Sequence, residues 1–286
     1  MKSDPKFNNR PPAFWAQVRL LSQELGYTER GTGQIKSYTI LEMAEAMHKL
    51  GLDTSFLITR DDTPTPLANS LIEYFKYRAQ VLNNKVEPWL MDKKRAKKVF
   101  TKLFKSLQPT CPIPMNKQKG TKKAPAYLTG IVNMLIEANK GSHEVDYDPR
   151  SLPTFTKAGT PIRTLARRID GCFPSVLNPI AVWEIKEYYN TTTFGSRVAD
   201  GVYETLLDGV ELHDLREHEG IRVKHYLMID DHYTWWECGR SYLCRIVDML
   251  HMGYVDEVLF GYEVVERLPL IVREWVRQLQ EQPQAF

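Results

Sequence analysis

The sequence predicts an α/β protein in which a mixed central sheet flanked by helices follows a mostly helical N-terminal region. Three observations carry this expectation. Apolar residues recur at helical spacing from residue 13 to residue 107. Four prolines then interrupt the chain within 108–125, "QPTCPIPMNKQKGTKKAP". Beyond them short apolar runs alternate with amphipathic stretches, the pattern of strands alternating with helices.

The elements follow in order. Phe14, Val18, Leu21 and Leu25 form one helical face, and Gly26 stops it. Thr39 with Glu42 is a capping box opening a second helix that runs to Gly51. The stretch "TILEMAEAMHKLGLDTSFL" has the rhythm of a helix-turn-helix or of a plain helical hairpin. Helices are expected near 66–83 and 90–107, the latter with Leu90, Val99, Leu103 and Phe104 beneath its lysines. The proline-rich break sets the expected boundary between a helical region, 1–115, and an α/β domain, 116–286. In the latter, the spacing predicts a helix over 125–140, a short strand at 143–147, a hairpin-like stretch over 152–173 and a strand over 180–189. A helix from Ser196, a strand at "RVKHYLMIDD", a helix at "GRSYLCRIVDMLHMG", a strand at "DEVLFGYEVV" and a last helix over 268–281 complete it.

With 43% hydrophobic residues in 286, the chain can bury a substantial core. No apolar stretch approaches the roughly 18 residues of a membrane span, and "MKSDPKFNNRPP" lacks a secretory signal, so a cytoplasmic protein without a membrane partner is expected. Cys111, Cys172, Cys238 and Cys244 have no Cys-x-x-Cys spacing and read as reduced thiols. His213, His218, His225 and His232 do not pair on one helical face as zinc ligands would. No phosphate-cradling glycine loop appears, so no nucleotide cofactor is expected.

Charge is divided along the chain. Residues 1–123 hold 22 Lys and Arg against 11 Asp and Glu, whereas 124–286 hold 16 against 24. The segment 93–123 carries eleven basic residues and no acidic one, which attracts a polyanion, nucleic acid above all. Lys93, Lys94, Arg95, Lys97, Lys98, Lys119, Lys122 and Lys123 are therefore candidate DNA contacts. Thr192, Ser196 and Arg197, ahead of a helix, are candidate phosphate contacts.

The chemistry lies in "RRIDGCFPSVLNPIAVWEIKEYYN". Strand alternation puts Ala181, Trp183 and Ile185 on one face and Val182, Glu184 and Lys186 on the other, so Glu184 and Lys186 are neighbours. Asp170 precedes them by one hairpin; Asp146 and Asp148 in "HEVDYDP" are rivals for the first carboxylate. Two carboxylates and an ammonium suit metal-dependent phosphodiester hydrolysis, in which Mg²⁺ takes one or two carboxylates and completes its shell with water and substrate phosphate.

Asp170 followed by Glu184-Ile185-Lys186 resembles the PD-(D/E)XK nuclease motif, with Ile169 standing where the family pattern has proline. The resemblance spans about 125–265. It implies a restriction-endonuclease-like sheet, Mg²⁺ held by Asp170 and Glu184, Lys186 as catalytic lysine, and double-stranded DNA as substrate. Glu137, on the helix ahead of the sheet, matches the place of an additional family glutamate and equally a surface helix glutamate. The free-standing chain looks most like a type II restriction enzyme, in a bacterial or archaeal cell. A homodimer is then expected, with the last helix and Trp275 as one contact surface. A non-catalytic DNA-binding regulator and a repair or recombination nuclease of the same fold are the alternatives.

Overall fold

A computed structural model describes residues 1–61, 63–116, 124–189 and 195–281, with the side chains of Ser196 and Arg197 outside that description. Lys119, Lys122, Lys123 and Thr192 likewise lie outside the described residues.

The N-terminal region packs α1 (Pro12–Leu25), α2 (Ile40–Lys49) and α3 (Pro66–Val81) around Phe14, Val18, Met43, Met47, Tyr74 and Phe75. The capping box at α2 forms: Thr39 N–H donates to Glu42 Oε2 at 2.8 Å, and Glu42 N–H returns to Thr39 Oγ1. Among the described residues no helix lies between α2 and α3, so the stretch after α2 does not supply the second helix of a helix-turn-helix. Asp53 instead accepts the amide and hydroxyl of Ser55, at 2.8 and 2.6 Å, which turns the chain, and Ile58 then bridges to Pro64.

From α3 the chain passes through a π-helical turn (Leu82–Val86) and the short α4 (Glu87–Trp89). Leu90 is extended, and Met91 N–H donates to Asp230 Oδ1 at 2.7 Å rather than into a helix. The basic helix therefore starts afresh as α5 (Lys93–Leu107), capped by Asp92. Its apolar side, Ala96 and Phe100, shares a core with α6 (Tyr127–Glu137) and the sheet, so α5 packs with the sheet-bearing part and not with α1–α3.

The five-stranded sheet has the order β1 (Asp146–Tyr147), β4 (Gly171–Phe173), β5 (Ala181–Glu187), β6 (Lys224–Asp230), β7 (Glu257–Phe260). β1, β4 and β5 are antiparallel; β5, β6 and β7 are parallel and linked by α7 (Ser196–Glu219) and α8 (Arg240–His251). A separate hairpin, β2 (Thr154–Lys157) and β3 (Thr160–Thr164), packs Phe155 against Leu212 and Leu215 of α7. One sheet face carries α6 and α9 (Glu263–Glu281); the other carries α7 and α8. The chain is thus a mixed α/β protein, its central sheet flanked by helices and preceded by a helical region. Among the described residues no helix is long and apolar enough to cross a membrane.

One expectation changes. Trp275 is 1% exposed, stacks on Trp183 with centroids 5.5 Å apart and donates to the Tyr226 hydroxyl, so it fills the core rather than offering a dimer contact. At the C-terminal end of β6, Asp230 is fully buried, accepting from Met91 N–H, Asp231 N–H and the Tyr189 hydroxyl.

One buried ion pair ties the helical region to the sheet. Arg78 of α3 has no exposed surface; its Nη1 lies 3.1 and 3.0 Å from the two oxygens of Asp248 on α8. Its Nη2 donates to Ser22 of α1, and the Tyr74 hydroxyl donates to Asp248. Removing one member of such a pair strands the other charge in the interior. Asp248→Ala is therefore expected to lose about 3–5 kcal/mol in urea unfolding, while Arg78→Met with Asp248→Leu recovers most of that loss.

Candidate active site

The antiparallel pair β4–β5 sets the geometry. Gly171 pairs with Trp183, which places Asp170 opposite Glu184. Ile185 N–H donates to Asp170 Oδ2 at 2.7 Å, fixing that carboxylate at the strand edge. Trp183 lies across Gly171, where a Cβ would come within 2.3 Å of the indole; glycine at this position lets the strands close beside Asp170.

Glu184 has no exposed surface, so its charge needs compensation within the fold. Lys186 Nζ is 2.7 Å from Glu184 Oε2, as strand alternation requires of residues two apart. Arg167, in the loop ahead of β4, reaches the other oxygen: its Nη1 is 2.9 Å from Glu184 Oε1, in ion-pair range without an aligned hydrogen bond. Helix α7 closes the cluster with Glu204 and Asp208, one turn apart on one face. Glu204 Oε2 accepts from Lys186 Nζ at 2.9 Å and Asp208 Oδ2 from Arg167 Nη1 at 2.6 Å. Gly201, on the same face, leaves room for the lysine stem; a Cβ there would press to 3.1 Å of Lys186 Cδ.

Four carboxylates thus surround two cations. Burial, and then the charge of Glu184, push Asp170 up to about 6. Burial and Glu184 likewise push Asp208 up to about 7. Burial also opposes the charge on Glu184, but Lys186 and Arg167 beside it hold its carboxyl below the usual range. Burial disfavours the Lys186 ammonium too, yet Glu184 and Asp170 outweigh it and hold the amine well above its ordinary value. One residue further on, Glu187 accepts Tyr127 N–H (2.7 Å) and Thr129 N–H (3.1 Å) at the start of α6; burial still lifts it to about 7.

Asp170 and Glu184 fit the two-carboxylate manner in which Mg²⁺ is held, with water and phosphate supplying its other oxygens. The cluster carries two negative charges in excess when all four carboxyls ionise, and Glu184 Oε1 and Asp208 Oδ1 are buried without a hydrogen-bond donor. Among the described residues no group of three or more His, Cys, Asp or Glu side chains is arranged as a metal cage.

The other expected residues fall elsewhere. Glu137 ends α6 and binds Thr110, accepting its amide at 3.0 Å, so it anchors the loop after α5 rather than joining Glu184. Asp146 accepts Val176 N–H at 2.6 Å and holds the β4–β5 turn; Asp148 is exposed and pairs with Arg150. On α5, Lys94, Lys97 and Lys98 face outward, whereas Arg95 turns back to the Pro88 carbonyl and the Tyr262 ring. Arg167, Glu204 and Asp208 were not anticipated. Asp208 had a legible signal, since it interrupts the apolar stripe Val198, Val202, Leu212, Leu215 of α7 at a position facing the sheet.

A carboxyl raised in the folded state contributes stability below its unfolded value near 4 and loses it as pH climbs through the folded value. In metal-free buffer the stability of the wild type relative to Asp208→Asn should therefore fall as pH rises from 4 to 8, with most of the change complete by about pH 7. Paired urea titrations along this pH series measure it; a pH-independent difference contradicts it.

Residues 91–275 match the family described as a domain of unknown function (DUF7687), and residues 1–85 match a second domain of unknown function (DUF7690). The two matches meet ahead of α5, not at the proline-rich break. No curated protein matches the chain, and no solved structure does. The first match spans well over half of the sequence and includes the sheet, the carboxylate cluster and α5, and the chain belongs to the DUF7687 family.

Proposed function

We propose that the protein is a Mg²⁺-dependent endonuclease acting on double-stranded DNA, of the type II restriction kind. The observation that carries this reading is the convergence of Asp170, Glu184 and Lys186, with the lysine amine 2.7 Å from Glu184 and Asp170 opposite it across the β4–β5 pair. The strand order supports it: three antiparallel strands, a helix, then parallel strands, as in the fold that the motif resembles.

In this reading Asp170 and Glu184 hold the ion. Bound Mg²⁺ would lower the pKa of a water and neutralise charge building at phosphorus. Without the ion, Glu184 and Asp170 hold the Lys186 amine above its ordinary value; as an ammonium it would act as a fixed positive charge beside the phosphate and attacking water. Arg167 and Asp208 orient Glu184 from below, and Glu204 steadies the amine. Cutting both strands of a duplex calls for two such sites, hence two copies of the chain.

One observation favours a second reading, a non-catalytic DNA-binding protein. Both site cations are saturated by carboxylates, as in a purely structural ion-pair network. The two readings part on plasmid incubated with Mg²⁺. Discrete fragments are expected, and Glu184→Gln should slow cutting about 100-fold or more while retaining duplex binding, as the loss of several kcal/mol of charge stabilisation implies. A repair or recombination nuclease would leave plain duplex intact and cut branched or damaged DNA. No cleavage on either substrate, with binding intact, leaves the regulator.

A further inference from the structure

Helix α5 carries a surface that the carboxylate cluster does not explain. Lys94, Lys97, Lys98, Thr101, Lys102 and Lys105 are exposed and line a shallow trough of about 480 Å³ along its outer side. They recur at every turn from 94 to 105, a stripe about 16 Å long at 1.5 Å per residue. Several other lysines find acids: Lys6 pairs with Glu73, Lys36 with Glu42, Lys224 with Asp256. Among the described residues these five form no ion pair, and none of the residues from 93 to 116 is acidic.

The stripe is also remote from the cluster. The apolar side of α5 packs on α6, and α6 packs on the sheet face that carries Trp183 and Ile185. Glu184 and Lys186 project from the opposite face, toward α7. A sheet-to-helix and a helix-to-helix spacing separate the two, on the order of 20 Å. A lysine side chain does not span that distance.

We propose that this stripe docks the sugar-phosphate backbone of duplex nucleic acid, adding affinity without reading bases. The proposal rests on the nucleic-acid part of the reading above and locates that contact. Duplex DNA presents about one phosphate every 1.7 Å of axis over its two strands, so a 16 Å stripe meets roughly five phosphates of one strand, one per lysine. A lysine is a point charge and lacks the planar fork that discriminates guanine, so the contact positions rather than specifies. A membrane-surface helix would need its whole apolar side free to insert, and in α5 Ala96, Val99, Phe100 and Leu103 are packed in the core with α6, which leaves only Phe104 and Leu107 at its C-terminal end exposed.

The test uses the full chain and a fluorescent 30-base-pair duplex of arbitrary sequence, titrated by anisotropy between 50 and 300 mM NaCl without Mg²⁺. Replacing Lys94, Lys97, Lys98, Lys102 and Lys105 together by Gln should make the log affinity against log salt slope shallower by about 4.5, near 0.9 per neutralised phosphate, and weaken binding at 100 mM salt at least 100-fold. Circular dichroism and melting should be unchanged, because all five side chains lie in solvent. An unchanged slope overturns the proposal, as does loss of binding to phosphatidylserine vesicles with duplex affinity intact. The outcome is separable from that of Glu184→Gln. Lost cutting with an unaltered salt slope in the lysine variant sinks the docking stripe alone, and the converse pair of results sinks the nuclease alone.

Discussion

A fully buried carboxylate in the middle of the central sheet dictates much of what surrounds it. Glu184 cannot remain ionised there without nearby positive charge, and both cations that supply it come from positions the backbone fixes: Lys186 by strand alternation and Arg167 by the loop leading into β4. Those cations are themselves too costly to leave half-paired, so α7 brings Glu204 and Asp208, and Gly201 admits the lysine stem. The cluster overshoots neutrality, and burial together with the charge of Glu184 pushes the carboxyls of Asp170 and Asp208 up. In the proposed reading, a bound ion of charge two would remove the same surplus.

Much of this was legible in the sequence because it depends on period alone. The alternation in "AVWEIKE" separates Trp183 and Ile185 from Glu184 and Lys186, and the structure keeps that division, with the tryptophan in the α6–α9 core and the charges under α7. The order of strands and helices after residue 125 follows from the same counting. What period cannot supply is depth and long-range approach. Trp275 looks like an exposed anchor on an amphipathic helix until the Trp183 ring is seen stacked beneath it. Glu137 sits on the expected helix, but at the end that meets Thr110. Arg167 enters through an irregular loop, where no periodicity operates, and the burial of Asp230 depends on a donor, Met91 N–H, 139 positions away.

The charge contrast between the halves has a different architectural meaning from the one composition suggests. The basic helix α5 does not belong with the N-terminal helices; Ala96 and Phe100 bury themselves with Tyr127, Ile131 and the sheet. Gly130 makes this possible, since a Cβ there would strike the Phe100 ring at 2.6 Å. Positive and negative surfaces are thus layers of one packed body, with lysines outermost on one side and the acidic cluster inside the other.

Arg78 and Asp248 belong to the segments that match two different families, DUF7690 and DUF7687. Among the described residues each is the ion-pair partner of the other, so a shuffling event that paired either segment with a foreign counterpart would have to import the matching residue as well. The two modules are in this sense keyed to one another, and across relatives the guanidinium and the carboxylate should be gained, lost or replaced as a couple.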